Sequence, residues 1–298
     1  MKQTLIIGST VIDVLLRVPS LPSSGEDINI ISSELRLGGC AYNVYKMLEF
    51  NKIPALLCSP VGSGIFGRMV REQLQAQGIK PFVLLEQENG CCYCIIEPDG
   101  ERSFLSHHGA EYLFSRSWMS NIDYQKTDSF FICGLEAEEP TGEEIVKFAY
   151  EHPELEMYFA PGPRILHIPQ NRMDRLLSRR DNTGKGPLLH LNKTEALSYS
   201  KLDFIDEAAE FLAEKTQNSV IITLGEKGCY YRKENSRTGG HLVPGFPAQV
   251  VDTIGTGDAH CGTLIGCLKK GMSYKKACIQ ANSAGAAVAG IKGAILQR

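Results

Sequence analysis

The chain has 298 residues, with 31 Lys or Arg against 34 Asp or Glu, a formal charge of −3 with His neutral; 43% are hydrophobic and 22% charged. Those fractions exclude a disordered chain, and the near-neutral balance argues against a phosphate-tracking nucleic-acid surface. No apolar run approaches the ~20 residues that span a bilayer, while the length suffices to bury one large domain, or one large and one small.

Met1 to Ile7 is a strand-like run followed by Gly8, Ser9 and Thr10, not by a cleavage pattern, so the cytoplasm is the expected compartment. Residues 5–10 (LIIGST) and 55–62 (ALLCSPVG) read as buried strands, and 68–79 as an amphipathic helix closed by Gly78. Residues 129–136 (SFFICGLE) predict a strand. In 141–152 Thr141 stands as an N-cap with Glu144 three residues on, a capping box. Further strands are expected at 156–160, 188–192 (LLHLN) and 219–225 (SVIITLG), with a helix at 202–217 between the last two. This alternation implies a parallel sheet with helices on both faces.

Two stretches break the pattern. Residues 11–37 are strand-like around PSLPSSGED, and 91–107 read as a hairpin turning at Pro98-Asp99-Gly100. Pairing between them would make a small sheet that serves as a lid. The polar stretch 179–187 reads as a plain loop. The ten cysteines show no paired zinc spacing and read as small apolar fillers in a reducing compartment. Alternation would put Cys92 and Cys94 on one strand face and Cys91 on the other.

The most informative segment is Asp252-Thr253-Ile254-Gly255-Thr256-Gly257-Asp258, at the head of an apolar helix that runs to about Lys270. A helix start presents unpaired N–H groups and a positive dipole end, and glycines let a phosphate approach, which makes an anion hole for a transferring phosphoryl group. A carboxylate beside such a hole can take a proton from an attacking hydroxyl; the plain alternative is a glycine turn with Asp258 as a helix cap. Gly38 and Gly39, followed by Asn43, can bring backbone and amide against a small polar ligand, or form an ordinary strand-to-helix turn. Asn192 and Glu195 follow strand LLHLN, where an open parallel sheet binds ligands; they can hold hydrated Mg²⁺ or cap a helix. Thr223, Gly225 and Gly228 lie where a phosphate tail can pass, or make a tight turn. Gly62-Ser63-Gly64-Ile65-Phe66-Gly67 is a literal G-x-G-x-x-G with Glu86 19 residues beyond Gly67. Taken alone it suggests a nicotinamide-dependent oxidoreductase, but it falls in the second βα unit and leaves the other segments without roles.

In this order the segments resemble the ribokinase-like PfkB carbohydrate kinases over essentially the whole length. The resemblance rests on Asp13 in GSTVID, GGCAYN at 38–43, VGSGIFG at 61–67, PDGERSFLSHHGA at 98–110, NKTE at 192–195, ITLGEKG at 222–228 and DTIGTGDAHCG at 252–262. It implies an α/β ribokinase-like three-layer sandwich with a mostly parallel central sheet, a core of residues 1–10, 38–90 and 108–298, and a β-sheet lid of 11–37 and 91–107. It implies transfer of the γ-phosphoryl of ATP to a hydroxymethyl group of a small sugar or sugar derivative. Asp258 matches the general base and Gly255, Thr256 and Gly257 the anion hole. Asp13, Gly38, Gly39, Asn43 and Glu136 match acceptor contacts. Asn192, Thr223, Gly225, Gly228 and Asn282 match nucleotide contacts, and Asn192 with Glu195 the Mg²⁺ site, with water between. Asp252 and, by its carbonyl, Ile254 match two contributors to a monovalent-cation site for K⁺, and a homodimer through the lid is implied.

The departures concern the acceptor. Val11 and Cys40 stand where ribokinases carry Asn and Lys, which puts ribose in doubt. Ala160-Pro161-Gly162-Pro163-Arg164 keeps only two residues of the D-P-N-x-R of many fructokinases. A nucleoside kinase, for example for pseudouridine, remains open, as does a non-catalytic sugar or nucleotide sensor.

Overall fold

Near-continuous buried apolar runs make up the central strands, as a sheet covered on both faces requires. The computed structural model describes residues 1–98, 101–234, 236 and 238–296. In chain order its elements are β1 (Gln3–Ile7), β2 (Val11–Arg17), β3 (Ser32–Gly38), α1 (Cys40–Phe50), β4 (Ala55–Cys58), β5 (Pro60–Ser63), α2 (Gly64–Ala76), β6 (Val83–Glu88), β7 (Cys91–Ile96) and β8 (Arg102–His107). There follow β9 (Thr127–Cys133), α3 (Gly134–Glu138), α4 (Gly142–Glu151), β10 (Glu156–Ala160), α5 (Gln170–Ser178), β11 (Leu188–Asn192), α6 (Lys193–Ser200), α7 (Ile205–Thr216), β12 (Val220–Thr223), β13 (Cys229–Arg232), β14 (His241–Val243), α8 (Thr256–Lys269) and α9 (Tyr274–Ala289).

The large sheet runs β14-β13-β12-β11-β10-β9-β1-β4. From β4 to β12 every pairing is parallel, and only β13 and β14 turn back antiparallel. Leu5, Ile7, Phe130, Ile132, Met157 and Phe159 face a layer built from α4, α5 and α7. Ile6, Phe131, Cys133 and Tyr158 face the opposite layer of α1, α2, α8 and α9. Three layers result. Full burial of each large apolar side chain contributes roughly 1.5–3 kcal/mol, so the two cores together, not any cap, hold the sandwich.

A smaller sheet runs β3-β2-β7-β8. It joins the two stretches that interrupt the βα alternation, with β2 and β7 parallel at its centre and antiparallel partners outside. Asp99 and Gly100 of the expected hairpin turn lie outside the described residues. Register fixes the faces: Asp13, Arg36, Cys92 and Ser106 share one rung, and Leu15, Cys94 and Phe104 share the next on the same face. Leu35, Tyr93 and Leu105 lie on the other face. Leu15, Cys94 and Ile96 form a small buried cluster against Ile254, so the first face is the one docked on the large domain.

Several local expectations are corrected. Residues 55–62 hold two strands, not one; β5 leaves the large sheet to pair with β6. Residues 134–136 are the start of α3 and not the end of a strand. Thr141 stands at the N-cap position of α4 as expected, but makes no capping box: its Oγ1 accepts the Phe114 N–H at 3.2 Å, and Glu144 pairs with Arg116. Arg179, in the expected plain loop, is fully buried, and its guanidinium donates to the carbonyls of Ala149, His152 and Leu155.

Candidate active site

Strand β2 carries Asp13 to the docked face, and β3 ends at Gly38 opposite Val11. A Cβ on Gly38 would stand 2.0 Å from Asp13 Oδ2, so the carboxylate lies directly on the Gly38 backbone. Gly39 caps α1 at φ +101, a conformation side chains rarely adopt, with the Ser9 carbonyl 2.5 Å from where a Cβ would be. That tight turn aims α1 so that Asn43, buried, donates from Nδ2 to Asp258 Oδ2 at 2.8 Å. The other amide atom, Asn43 Oδ1, is buried without a hydrogen-bond partner, as is Glu136 Oε2. Glu136 Oε1 accepts the Ser9 N–H at 2.6 Å. The free thiols of Cys40 and Cys133 neighbour each other within hydrogen-bonding reach and lie near both Asp258 and Glu136. Buried acceptor atoms left unpaired are costly, and each is an oxygen that a donor such as a ligand hydroxyl could satisfy.

Burial raises all three carboxyls. Asp258 is pushed up to about 6, held back by the hydrogen bonds from Asn43 and Cys40. Glu136 reaches about 7 by burial, opposed chiefly by its hydrogen bonds. Asp13 reaches about 7 through burial and then the charge of Asp258, with Arg36 pulling the other way. A base poised near neutrality suits proton abstraction from an alcohol.

Asp258 sits in the first turn of α8, whose N-cap Gly255 is left-handed at φ +74 and whose start has no side-chain cap. No side chain caps this positive helix end, which leaves it open to an anion, while the Thr256 N–H meets the Thr253 carbonyl at 3.4 Å. A Cβ on Gly257 would meet nothing within 4 Å; its lack of a side chain leaves open space and fills no packing need. That space opens into a cavity of about 840 Å³ lined by Thr256 and Gly257, by Asn192 and Thr223 at the ends of β11 and β12, and by Gly225 and Gly228 beyond. The volume is that of a nucleotide-sized ligand site. Asn282 lines it too, but its amide is committed: Nδ2 donates to the carbonyls of Val243 and Pro244, and Oδ1 meets His260. His260, which also lines the cavity, in turn meets the buried His190 at 2.8 Å.

Asn192 and Glu195 form the reciprocal capping box of α6. Asn192 Oδ1 accepts the Glu195 N–H at 2.8 Å, and Glu195 Oε2 accepts the Asn192 N–H at 2.9 Å. Asn192 Nδ2 occupies Glu195 Oε1. Both carboxylate oxygens are taken, so the pair fits a hydrated Mg²⁺ through water and not by direct ligation. Asp252 does not fit a monovalent cation as expected. Its Oδ1 accepts Arg102 at 2.9 Å and the Ile254 N–H at 2.8 Å, and its Oδ2 accepts the Gly293 N–H at 3.2 Å with Arg36 at 3.7 Å. Ile254 contributes its N–H to that carboxylate and its side chain to the small sheet. Among the described residues no three His, Cys, Asp or Glu side chains gather as a metal-holding group.

The G-x-G-x-x-G lies apart. A Cβ on Gly67 would stand 2.1 Å from the Gly62 carbonyl, and the Gly62 N–H is bound by Asn89. These glycines pack a turn between β5 and α2. Their cleft, about 470 Å³, shares no lining residue with the larger cavity. Arg36, Arg102, Ser9 and His260 were not singled out in the sequence. Arg102 and Ser9 stand inside the quoted PDGERSF and GSTVID segments, but nothing local indicates their partners.

The pfkB family carbohydrate kinase model matches residues 1–297. The chain belongs to that family. It is 30% identical to the uncharacterized sugar kinase YegV of Escherichia coli (strain K12), over 98% of this chain and 90% of that protein. It is 23% identical to a deoxyribokinase of Salmonella typhi, over 86% and 82%. Among solved structures, the adenosine kinase of Sinorhizobium meliloti superposes with a TM-score of 0.85 at 20% identity, covering 100% of this chain and 96% of that one. The chain is therefore a sugar or nucleoside kinase, a phosphotransferase with an alcohol acceptor, of ribokinase-like fold. ATP is the phosphoryl donor of such kinases, generally with Mg²⁺. The oxidoreductase reading falls with this membership.

Proposed function

We propose that the chain phosphorylates a hydroxymethyl group of a small sugar or sugar derivative, with Asp258 as general base. The observation that carries this is a carboxylate held at 2.8 Å by Asn43 in the first turn of α8, next in the chain to Thr256 and Gly257, which line the 840 Å³ cavity. The acceptor lies between Asp13, Asn43 and Glu136, and the unpaired Asn43 Oδ1 and Glu136 Oε2 receive its hydroxyls. Asp258 takes the proton of the attacking hydroxyl. The N–H groups of residues 255–257 receive the charge that develops on the phosphoryl oxygens. Transfer of this kind is mostly positioning and charge stabilisation, so the anion hole carries the larger share and the base adds roughly 10²- to 10⁴-fold. Thr223, Gly225 and Gly228 bound the nucleotide, and Asn282 positions its wall. Mg²⁺, when bound through water near Asn192 and Glu195, would neutralise phosphate charge.

The smaller sheet acts as the lid, and its outer face, with Leu35 47%, Tyr93 36% and Leu105 60% exposed, supports a homodimer through it. A second reading, a nucleoside acceptor, is favoured by Phe104, which is 56% exposed on the docked face and able to stack on a base. An ADP-release screen over ribose, deoxyribose, fructose, 2-keto-3-deoxygluconate, tagatose phosphates, adenosine, inosine and pseudouridine tests both. A sugar as best acceptor supports the first reading and a nucleoside the second. ADP release that no acceptor stimulates contradicts both.

A further inference from the structure

Asp252 opens the loop that becomes the anion hole, and its carboxylate is where the family resemblance places a monovalent cation. In this chain a guanidinium stands there. Arg102, at the first residue of β8, reaches across from the smaller sheet. Its Nη2 is 2.9 Å from Asp252 Oδ1, and its Nη1 donates to Thr253 Oγ1. The pair is enclosed, with side chains 12% and 9% exposed. Arg36 of β3 adds a second positive charge 3.7 Å from Asp252 Oδ2, while it forms a bidentate pair with Glu34. Backbone N–H groups of Ile254 and Gly293 complete the carboxylate. Each oxygen thus already has one N–H donor from the backbone and one arginine beside it. A potassium ion there would have to displace Arg102 or share a carboxylate with two guanidinium groups, and like charges so close repel strongly in a desolvated site.

We infer that Arg102 takes the place of a monovalent cation behind the anion hole, so that phosphoryl transfer in this chain does not depend on K⁺. The inference rests on the assignment of residues 255–257 as the phosphoryl site. Arg102 is a positioning residue: it fixes the 252–254 loop, and through it the start of α8. A bulk ion cannot add the second consequence. The charge arrives on the smaller sheet, alongside the Leu15, Cys94 and Ile96 contact with Ile254, so docking of that sheet and completion of the anion hole become one event.

The test compares wild type, Arg102→Ala and Arg102→Lys in KCl, NaCl and choline chloride at one ionic strength, by thermal midpoint and by turnover. Wild type is expected to show no K⁺-specific midpoint shift and turnover within two-fold across the three salts. Arg102→Ala is expected to lose at least ten-fold in kcat with a smaller change in acceptor KM. It should recover part of that loss, and gain a midpoint shift, with K⁺ or with millimolar guanidinium chloride; Arg102→Lys should retain most turnover without either. A wild-type midpoint that rises saturably with K⁺ alone overturns the inference. So does an Arg102→Ala protein that gains neither a shift nor turnover from K⁺ or guanidinium. The midpoint arm needs no acceptor, so it still reads the cation site if the proposed role of Asp258 fails.

Discussion

At the scale of single residues the account rests on carboxyls raised by burial. Asp258 near 6 and Asp13 near 7 are protonated in acid, and a protonated Asp258 cannot act as base. As pH falls, kcat/KM for the acceptor should begin to drop near 7 and steepen below about 6, as the two carboxyls take up protons together. A profile flat down to pH 5 contradicts the assignment. Gly38→Ala would put a methyl group 2.0 Å from the present position of Asp13 Oδ2. The carboxylate must then swing away, and acceptor KM should rise about ten-fold, the loss of one charged hydrogen bond, with ATP KM within two-fold; equal effects on both would show a general disturbance of the fold. Asp258, Asn43 and the paired glycines were legible because their roles follow from local spacing. Arg102 was not, because its partner lies 150 positions away in sequence and only the docked sheet brings them together. Tyr93 cannot line the acceptor site from the docked face, because register turns it to the opposite side of its strand from Cys94 and Phe104.

At the scale of elements, the same four-residue pattern had two fates. Thr141-x-x-Glu144 forms no box because Phe114, 27 residues earlier, claims the threonine hydroxyl. Asn192-x-x-Glu195 forms one because β11 ends in an extended residue with its side chain free to turn onto α6. Removing that cap by Asn192→Ala should cost about 1 kcal/mol in urea unfolding, apart from any effect on nucleotide binding; an unchanged midpoint would mean water replaces the cap. Strands β11 and β12 were read nearly to their ends because continuous apolar runs between turns leave one solution. The β9–α3 boundary was missed because apolar residues continue from Phe131 through Leu135 with no local stop, and the helix begins where Gly134 closes on the Pro161 carbonyl.

At the scale of the whole molecule, the two interruptions in the βα alternation were enough to anticipate the smaller sheet, since unpaired strands must find partners. Its parallel centre, β2 beside β7, was not legible, because alternation gives faces and not neighbours. The outer face of that sheet leaves Leu35, Tyr93 and Leu105 exposed together. Sedimentation should find a dimer at micromolar concentration for wild type and a monomer for Leu105→Glu, which buries a charge in the proposed interface; a wild-type monomer contradicts the shared-lid arrangement.

The most direct measurement is on Asp258→Asn, which keeps the shape and the hydrogen-bonding capacity of the side chain and removes its basicity. Calorimetric titration should give ATP binding within a few-fold of wild type, while a coupled assay with the best acceptor should show turnover reduced roughly 10²- to 10⁴-fold. Turnover left at the wild-type level, or lost only in proportion to ATP binding, would mean that the carboxylate at the head of α8 is not the proton acceptor.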